Sequence, residues 1–213
     1  MIELIHVSKI YQKNLLVFDQ VSCTIPMTGL VRIIGDNSSG KTALLKMLIG
    51  LESPSSGRIL VNGIDLSQLN RKEQQMFRQK IGFVSQVPNL LPQYTVFENV
   101  AISLEIMGFQ KNWIKKKVKS ILQHFQLLHK SHMMAKRLTH KEQKKIEFAR
   151  AMIKNPQLLL MDSTLPTPYF PGLEKIKGLI TSSSEPILSQ PHKTLVKISD
   201  FNITIHKEHP HES

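Results

Sequence analysis

Residues Gly35-Asp36-Asn37-Ser38-Ser39-Gly40-Lys41-Thr42 constrain this chain more than any other stretch. A glycine, four residues, Gly-Lys and then a hydroxyl residue is the spacing of a loop that cradles phosphates. Residues 30–34 before it read as a short buried strand, and residues 43–49 after it as a buried helix. In that setting backbone N–H groups and the helix N-terminus face an anion. Lys41 is then placed for the β- and γ-phosphates of a nucleotide, and the Thr42 hydroxyl for Mg²⁺. Asp36 is discordant, because a carboxylate beside a triphosphate is repulsive, so its side chain is expected to point to solvent.

The rest of the chain supplies the alternation that such a loop requires. Strand character is read at residues 2–7, 15–25, 58–61, 81–86, 158–162, 186–189 and 201–205, with Asn62-Gly63 as a hairpin turn. Helices are read at 43–49, 71–79, 141–154 and, as a short one, 173–180. Between 88 and about 150 the pattern changes to helices and short loops with few strand signals. The expected fold class is α/β, a P-loop NTPase sheet domain spanning 1–213 with a helical subdomain inserted at about 88–150. Residues 158–161 are apolar and end on Asp162, which is where an acid would support Mg²⁺ beside Thr42.

Composition bounds the function. The 213 residues suit one large domain with a real core. No run of about 18 apolar residues offers a membrane span, and residues 1–5 lack the basic start and apolar core of a signal peptide. The single cysteine, Cys23, excludes an intrachain disulfide and reads as a small buried filler. The net charge of +12 admits nucleic acid, an anionic membrane surface or an acidic partner. Its lysines cluster at Lys111, Lys115, Lys116, Lys117 and Lys119, then at Lys141, Lys144 and Lys145. Ile114, Val118, Ile121, Leu122 and Phe125 recur at helical spacing, so the lysines are expected to fill a solvated face, without interleaved aromatics to stack bases. The histidines of residues 206–213 lack a metal-site spacing and read as a frayed tail.

Taken together, these segments resemble the nucleotide-binding subunits of ABC transporters over nearly the whole chain. The likeness is greatest to the cell-division branch, FtsE, and its lipoprotein-release and macrolide-export relatives. It is densest at residues 7–11, 35–57, 81–86 and 90–101, and continues through 147–151 with Asn155-Pro156. The resemblance implies an adenine stacked on Tyr11, and ATP phosphates held by Gly35, Asp36, Asn37, Ser38, Ser39, Gly40, Lys41, Thr42 and Ala43. It implies Mg²⁺ held by Thr42, Gln86 and Asp162. Gln86 also joins the sheet domain to the helical insert, and Pro88, Leu90, Leu91, Tyr94 and Phe97 include residues of a groove for a membrane partner's coupling helix.

The departures are as informative. The family signature corresponds to Leu138-Thr139-His140-Lys141-Glu142-Gln143, in which His140 and Lys141 replace two glycines that let backbone amides approach the opposite subunit's γ-phosphate. The glutamate that activates water is replaced by Ser163, which cannot accept a proton as a carboxylate can. Residues 164–168 lose the pattern that contacts the other subunit. Gln190 takes the switch-histidine position, with His192 two residues later, and Ser38 stands where glycine is usual. No residue is therefore assigned as catalytic. The expected function is an FtsEX-like ATP-binding subunit with weak or absent hydrolysis, held at the cytoplasmic face of the membrane by an FtsX-like partner. A homodimer is favoured, with a heterodimer with an intact cassette as the alternative. An active export or lipoprotein-release ATPase, and a nucleic-acid-associated ABC protein, are the competing readings.

Overall fold

The computed structural model describes residues 1–12, 15–36, 38–162, 176–183, 194–199 and 202–206. Two sheets form its frame. The first has the order β2-β1-β4-β5, from β1 (Ile2–Tyr11), β2 (Leu15–Ile25), β4 (Ser56–Val61) and β5 (Ile64–Asp65), all antiparallel. The second has the order β10-β9-β3-β8-β7-β6, from β3 (Gly29–Gly35), β6 (Ile81–Val84), β7 (Leu158–Met161), β8 (Gly178–Ser183), β9 (Thr194–Ser199) and β10 (Asn202–His206). Its strands are parallel except for β10, which closes the edge antiparallel to β9. This is the α/β fold expected from the sequence.

The central strands of the six-stranded sheet are buried on both faces, and β7 sorts its side chains by parity. Leu158 and Leu160 join the cluster formed with Val31, Ile33 and the helix α1 (Lys41–Leu48), whereas Leu159 and Met161 join the opposite cluster. That second cluster is built from α3 (Val96–Ile106), α4 (Lys111–His124) and α5 (His140–Met152). Three helices open on a reciprocal cap: Asn70 with Glu73 at α2 (Arg71–Gln79), Thr95 with Glu98 at α3, and Thr139 with Glu142 at α5. Each satisfies two backbone donors that the helix itself cannot.

Several expectations are corrected. β1 runs to Tyr11 rather than stopping at residue 7, and β6 ends at Val84, so Ser85 and Gln86 leave the sheet. The short helix expected at 173–180 is overturned where residues are described, because Gly178–Ser183 is strand β8. The segment is apolar and β-branched at its centre and buried from Ile180 to Ser182, a pattern shared by buried helices and strands. Gly178 also has no room for a side chain: a Cβ there would lie 1.9 Å from the Met27 carbonyl oxygen. The strand expected at 186–189 lies outside the described residues, and β9 was not anticipated. His206, assigned to the frayed tail, is the last residue of β10.

One side chain is at odds with its surroundings. Arg32, on the central strand β3, is 1% exposed, and its Nε and Nη1 have no hydrogen-bond partner. It stands beside Thr181 of β8, whose hydroxyl is also buried and unpartnered. Burial lowers the guanidinium pKa, the direction expected for a cation taken out of water without compensation. Arg32→Met keeps most of the volume and removes the charge. We expect it to stabilise the protein by about 1–3 kcal/mol in chemical denaturation, and a loss of stability would show that the guanidinium has a favourable role.

Candidate functional site

The carboxyl ends of β3, β8, β7 and β6 converge on one edge of the parallel sheet, where open α/β folds bind their ligands. Register makes the convergence: Ile34 pairs with Ser183, Met161 with Thr181, and Val84 with Met161. The phosphate loop leaves β3 at this edge and enters α1. Gly40 caps the helix with φ 96°, and a Cβ there would lie 2.4 Å from Val17 Cγ1, so the loop is seated on β2 in a way only glycine permits. Ser38 has φ 75°, a left-handed conformation, which explains why glycine is the usual residue there.

Lys41 folds back over the loop, with Nζ donating to the carbonyls of Gly35 and Asp36, both at 2.7 Å. Burial lowers its pKa, while Asp162 and Asp36 oppose that shift. The Asp36 side chain is exposed, as expected from its charge, and Asn37 lies outside the described residues. Ser39 has a buried hydroxyl without a partner, and Ala43 is buried in α1. The Thr42 hydroxyl donates to Asp162 Oδ2 at 2.7 Å, and the Ser182 hydroxyl donates to Oδ1 at 2.9 Å. Asp162 is 5% exposed, and its backbone N–H donates to the Val84 carbonyl at 2.8 Å. Thr42 and Asp162 thus present adjoining oxygens, the donor type that Mg²⁺ prefers. With the desolvated Lys41 and the unpartnered Ser39 hydroxyl, this arrangement fits a magnesium-bound nucleotide. Gln86 is exposed just beyond β6, on the same sheet edge.

Tyr11 is 37% exposed and engaged elsewhere: its hydroxyl donates to Glu52 Oε2 at 2.5 Å, and Lys9 Nζ lies 4.8 Å from the ring centroid. Burial first, and then the Glu52 bond, push its pKa up to about 12. Cys23 is half-buried rather than fully so, and burial pushes its thiol up to about 11, which suits an unreactive packing residue.

The signature segment forms the start of α5. Thr139 is its cap, while His140 and Lys141 are exposed in the first turn. Gln143 points inward, donating to the carbonyls of Ala135 and Leu138. Glu142 bonds Lys130 and the Thr139 amide; the Lys130 bond is the larger cause that holds its carboxyl down at about 2.

Sequence reasoning missed Glu147, on α5 and 2% exposed. Its carboxylate accepts from the Ser85 hydroxyl and from the amides of Ser85 and Asn89, and Lys144 lies 3.7 Å away. Lys144 donates to the Ser85 carbonyl, and Arg150 to the Asn89 carbonyl at 2.5 Å. Lys144 therefore does not belong to the solvated lysine face. This cluster fixes the segment around Gln86 onto the signature helix. The signal in the sequence was a carboxylate inside the apolar run Ile146-Glu147-Phe148-Ala149.

A cavity of about 200 Å³, separate from the phosphate loop, lies between Ile49, Leu51, Arg78, Phe83, Ser103 and Lys154. The Lys154 ammonium donates to the Arg78 and Ile81 carbonyls, and burial, aided by Arg150, lowers its pKa to about 8. Of the candidate groove residues, Leu90 and Phe97 pack on the helical cluster, whereas Tyr94 is 39% and neighbouring Val87 71% exposed. Ser163, residues 164–168, Gln190 and His192 lie outside the described residues. No group of three or more His, Cys, Asp or Glu that could hold a metal occurs among the described residues, and no helix among them is long and apolar enough to cross a membrane.

Fold and site together define a phosphate-loop nucleotide-binding cassette. Residues 18–165 match the family described as ABC transporter, and the chain belongs to that family. It is 38% identical over 162 residues to the cell division ATP-binding protein FtsE of Bacillus subtilis, covering 76% of this chain and 71% of that one. It is 39% identical over 161 residues to the methionine import ATP-binding protein MetN of Helicobacter acinonychis, covering 76% of this chain but 49% of that protein. The chain thus spans about half the length of the MetN relatives. A dimeric bacterial ABC transporter cassette superposes with a TM-score of 0.83 at 24% identity, over 97% of this chain and 98% of that one. That likeness concerns the fold.

Glu142 has a pKa below its unfolded value of 4.5, so its stabilising contribution is complete above that pH and fades as pH falls toward about 2. At neutral pH, Glu142→Gln keeps the reciprocal cap but loses the ion pair with Lys130, and should cost up to about 1 kcal/mol. The difference from wild type in denaturant melts should close across that acidic window. A gap that stays constant down to pH 2 would mean that the carboxylate's charge is not what matters.

Proposed function

We propose that this chain is the ATP-binding subunit of an FtsEX-like membrane complex and holds Mg-ATP with slow or absent hydrolysis. The observation that carries the reading is the Thr42–Asp162–Ser182 junction beneath the phosphate loop, in which Asp162 and Ser182 are buried and Thr42 is exposed. Lys41 and the loop amides would hold the phosphates; Thr42 and Asp162, with Gln86 nearby, would hold Mg²⁺. The ion neutralises phosphate charge when bound. The binding half of the site is intact in these terms.

The hydrolytic half is not. Ser163 follows Asp162 where a carboxylate would be needed as base. We place the switch position at Ser183 rather than Gln190, because β8 is the strand that reaches the Asp162 edge and ends there. A serine accepts no positive charge, so in this reading the switch is impaired with either residue. His140 and Lys141 add side chains to the first turn of α5, where a second subunit's phosphate would need close backbone approach. We take Thr139, His140, Lys141, Glu142 and Gln143 as the surface offered to a second copy of the chain, in a homodimer. Tyr11 remains the candidate adenine platform, and reaching it requires no change at the Glu52 bond if the base uses the free face of the ring.

A membrane partner fits the region that follows Gln86. Residues 88–150 act in this reading as a helical subdomain, and the cleft lined by Leu51, Arg78 and Ser103 lies where that subdomain meets the sheet. The Glu147 cluster would carry a displacement there to Gln86. The location that follows is the cytoplasmic face of the membrane, peripheral and partner-bound.

Loss of a general base removes about 10²–10⁴ in rate, against a median enzyme turnover of about 10 per second. Wild type should bind Mg-ATP in calorimetry and release phosphate more slowly than about 0.1 per second, and Lys41→Ala should weaken binding at least about tenfold. Turnover near about one per second that vanishes in Lys41→Ala would overturn the reading, as would equal ATP affinity in the two proteins.

A further inference from the structure

The turn between α3 and α4 carries an apolar patch inside the most basic part of the chain. α3 ends at Ile106, Gly108 reverses the chain with φ 79°, and Phe109 and Trp113 stack with ring centroids 4.4 Å apart. Burying the two rings against each other leaves them 41% and 38% exposed, and Ile106, a few residues earlier, is 60% exposed. This corrects the expectation that no aromatic interrupts the lysines: Trp113 lies among them. α4 turns Ile114, Val118 and Leu122 inward, while Lys111, Lys115, Lys116, Lys117 and Lys119 are all exposed. The helix contains no acidic residue to neutralise them.

We propose that this patch, Ile106, Phe109 and Trp113 with the lysines of α4, is a direct binding surface for anionic lipid. Its chemistry is that of a membrane interface. Tryptophan and phenylalanine enter the headgroup boundary, where an amphipathic ring finds both an apolar and a wet side. Surrounding lysines gain from the negative surface potential of anionic leaflets. The same charge would also attract nucleic acid, but the ring geometry disfavours base stacking. Phe109 stacks on Trp113 from one turn before it, and Lys117 Nζ lies 5.4 Å from its centroid from one turn after. The indole is thus engaged by neighbours on both sides along the chain and offers its edge rather than a free face. Contact through this patch adds to attachment through a partner, and it uses no residue of the nucleotide site.

Trp113 is the chain's one tryptophan, so its fluorescence reports the patch without labelling. Equimolar phosphatidylcholine–phosphatidylglycerol vesicles should shift its emission to the blue and sediment the protein, and pure phosphatidylcholine vesicles should do neither. Each lysine is worth about fivefold in affinity, so Lys115→Gln, Lys116→Gln and Lys119→Gln together should weaken sedimentation about a hundredfold and reduce its dependence on salt. Phe109→Ser with Trp113→Ser should weaken it further, while ATP binding stays at the wild-type value and certifies the fold. Lys41→Ala should bind these vesicles normally, which separates this surface from the nucleotide site. Unchanged emission with the anionic vesicles overturns the proposal. A blue shift produced by single-stranded DNA and not by vesicles overturns it in favour of a nucleic-acid surface.

Discussion

The site depends on one hydrogen bond, from the Thr42 hydroxyl to Asp162 across 120 positions of sequence. It closes only if β3, β8 and β7 lie side by side in the observed register, because that register brings the start of α1 and the end of β7 to one edge. The Ser182 hydroxyl completes the junction from the strand between them. A buried carboxylate left unpaired would be costly, so each of these bonds makes the ionised aspartate tolerable as well as placing it. The core underneath is built to hold that register. Alternate side chains of β7 are buried on opposite faces, so a slip of one residue would exchange the two hydrophobic clusters.

From this junction the electrostatics diverge. At the phosphate loop a lysine is desolvated and bound only to carbonyl oxygens, which leaves its charge available to an anion. At the start of α5 the helix dipole favours an anion, and the Lys141 side chain stands exposed in that first turn. By accepting two amides and a hydroxyl from residues 85–89, Glu147 ties the segment around Gln86 to α5.

Much of this was legible in the sequence for definite reasons. The phosphate loop has a spacing imposed by backbone geometry, and β3 and α1 flank it as buried runs. The end of β7 at Asp162 was equally plain, since four apolar residues stop at a carboxylate. β8 was misread because a strand buried on both faces loses the alternation that marks exposed ones, and the preceding Glu174-Lys175-Ile176-Lys177 has the composition of a helix. Glu147 and Lys144 escaped notice because a charge within a helix ordinarily faces solvent, and only tertiary contact shows otherwise. Tyr11 was read from resemblance, and its bond to Glu52 depends on a turn 41 residues away.

In the function proposed, Thr42 and Asp162 form a magnesium site within a working ATP-binding loop. The most direct measurement is ATP affinity by calorimetry with and without Mg²⁺, in wild type, Thr42→Val, Asp162→Asn and the double variant. Mg²⁺ should tighten ATP binding to wild type, each single variant should lose most of that gain, and the double variant should lose little more, a coupling of about 1 kcal/mol or greater. An ATP affinity in wild type that is indifferent to Mg²⁺, or variants that keep the full magnesium effect, would contradict it.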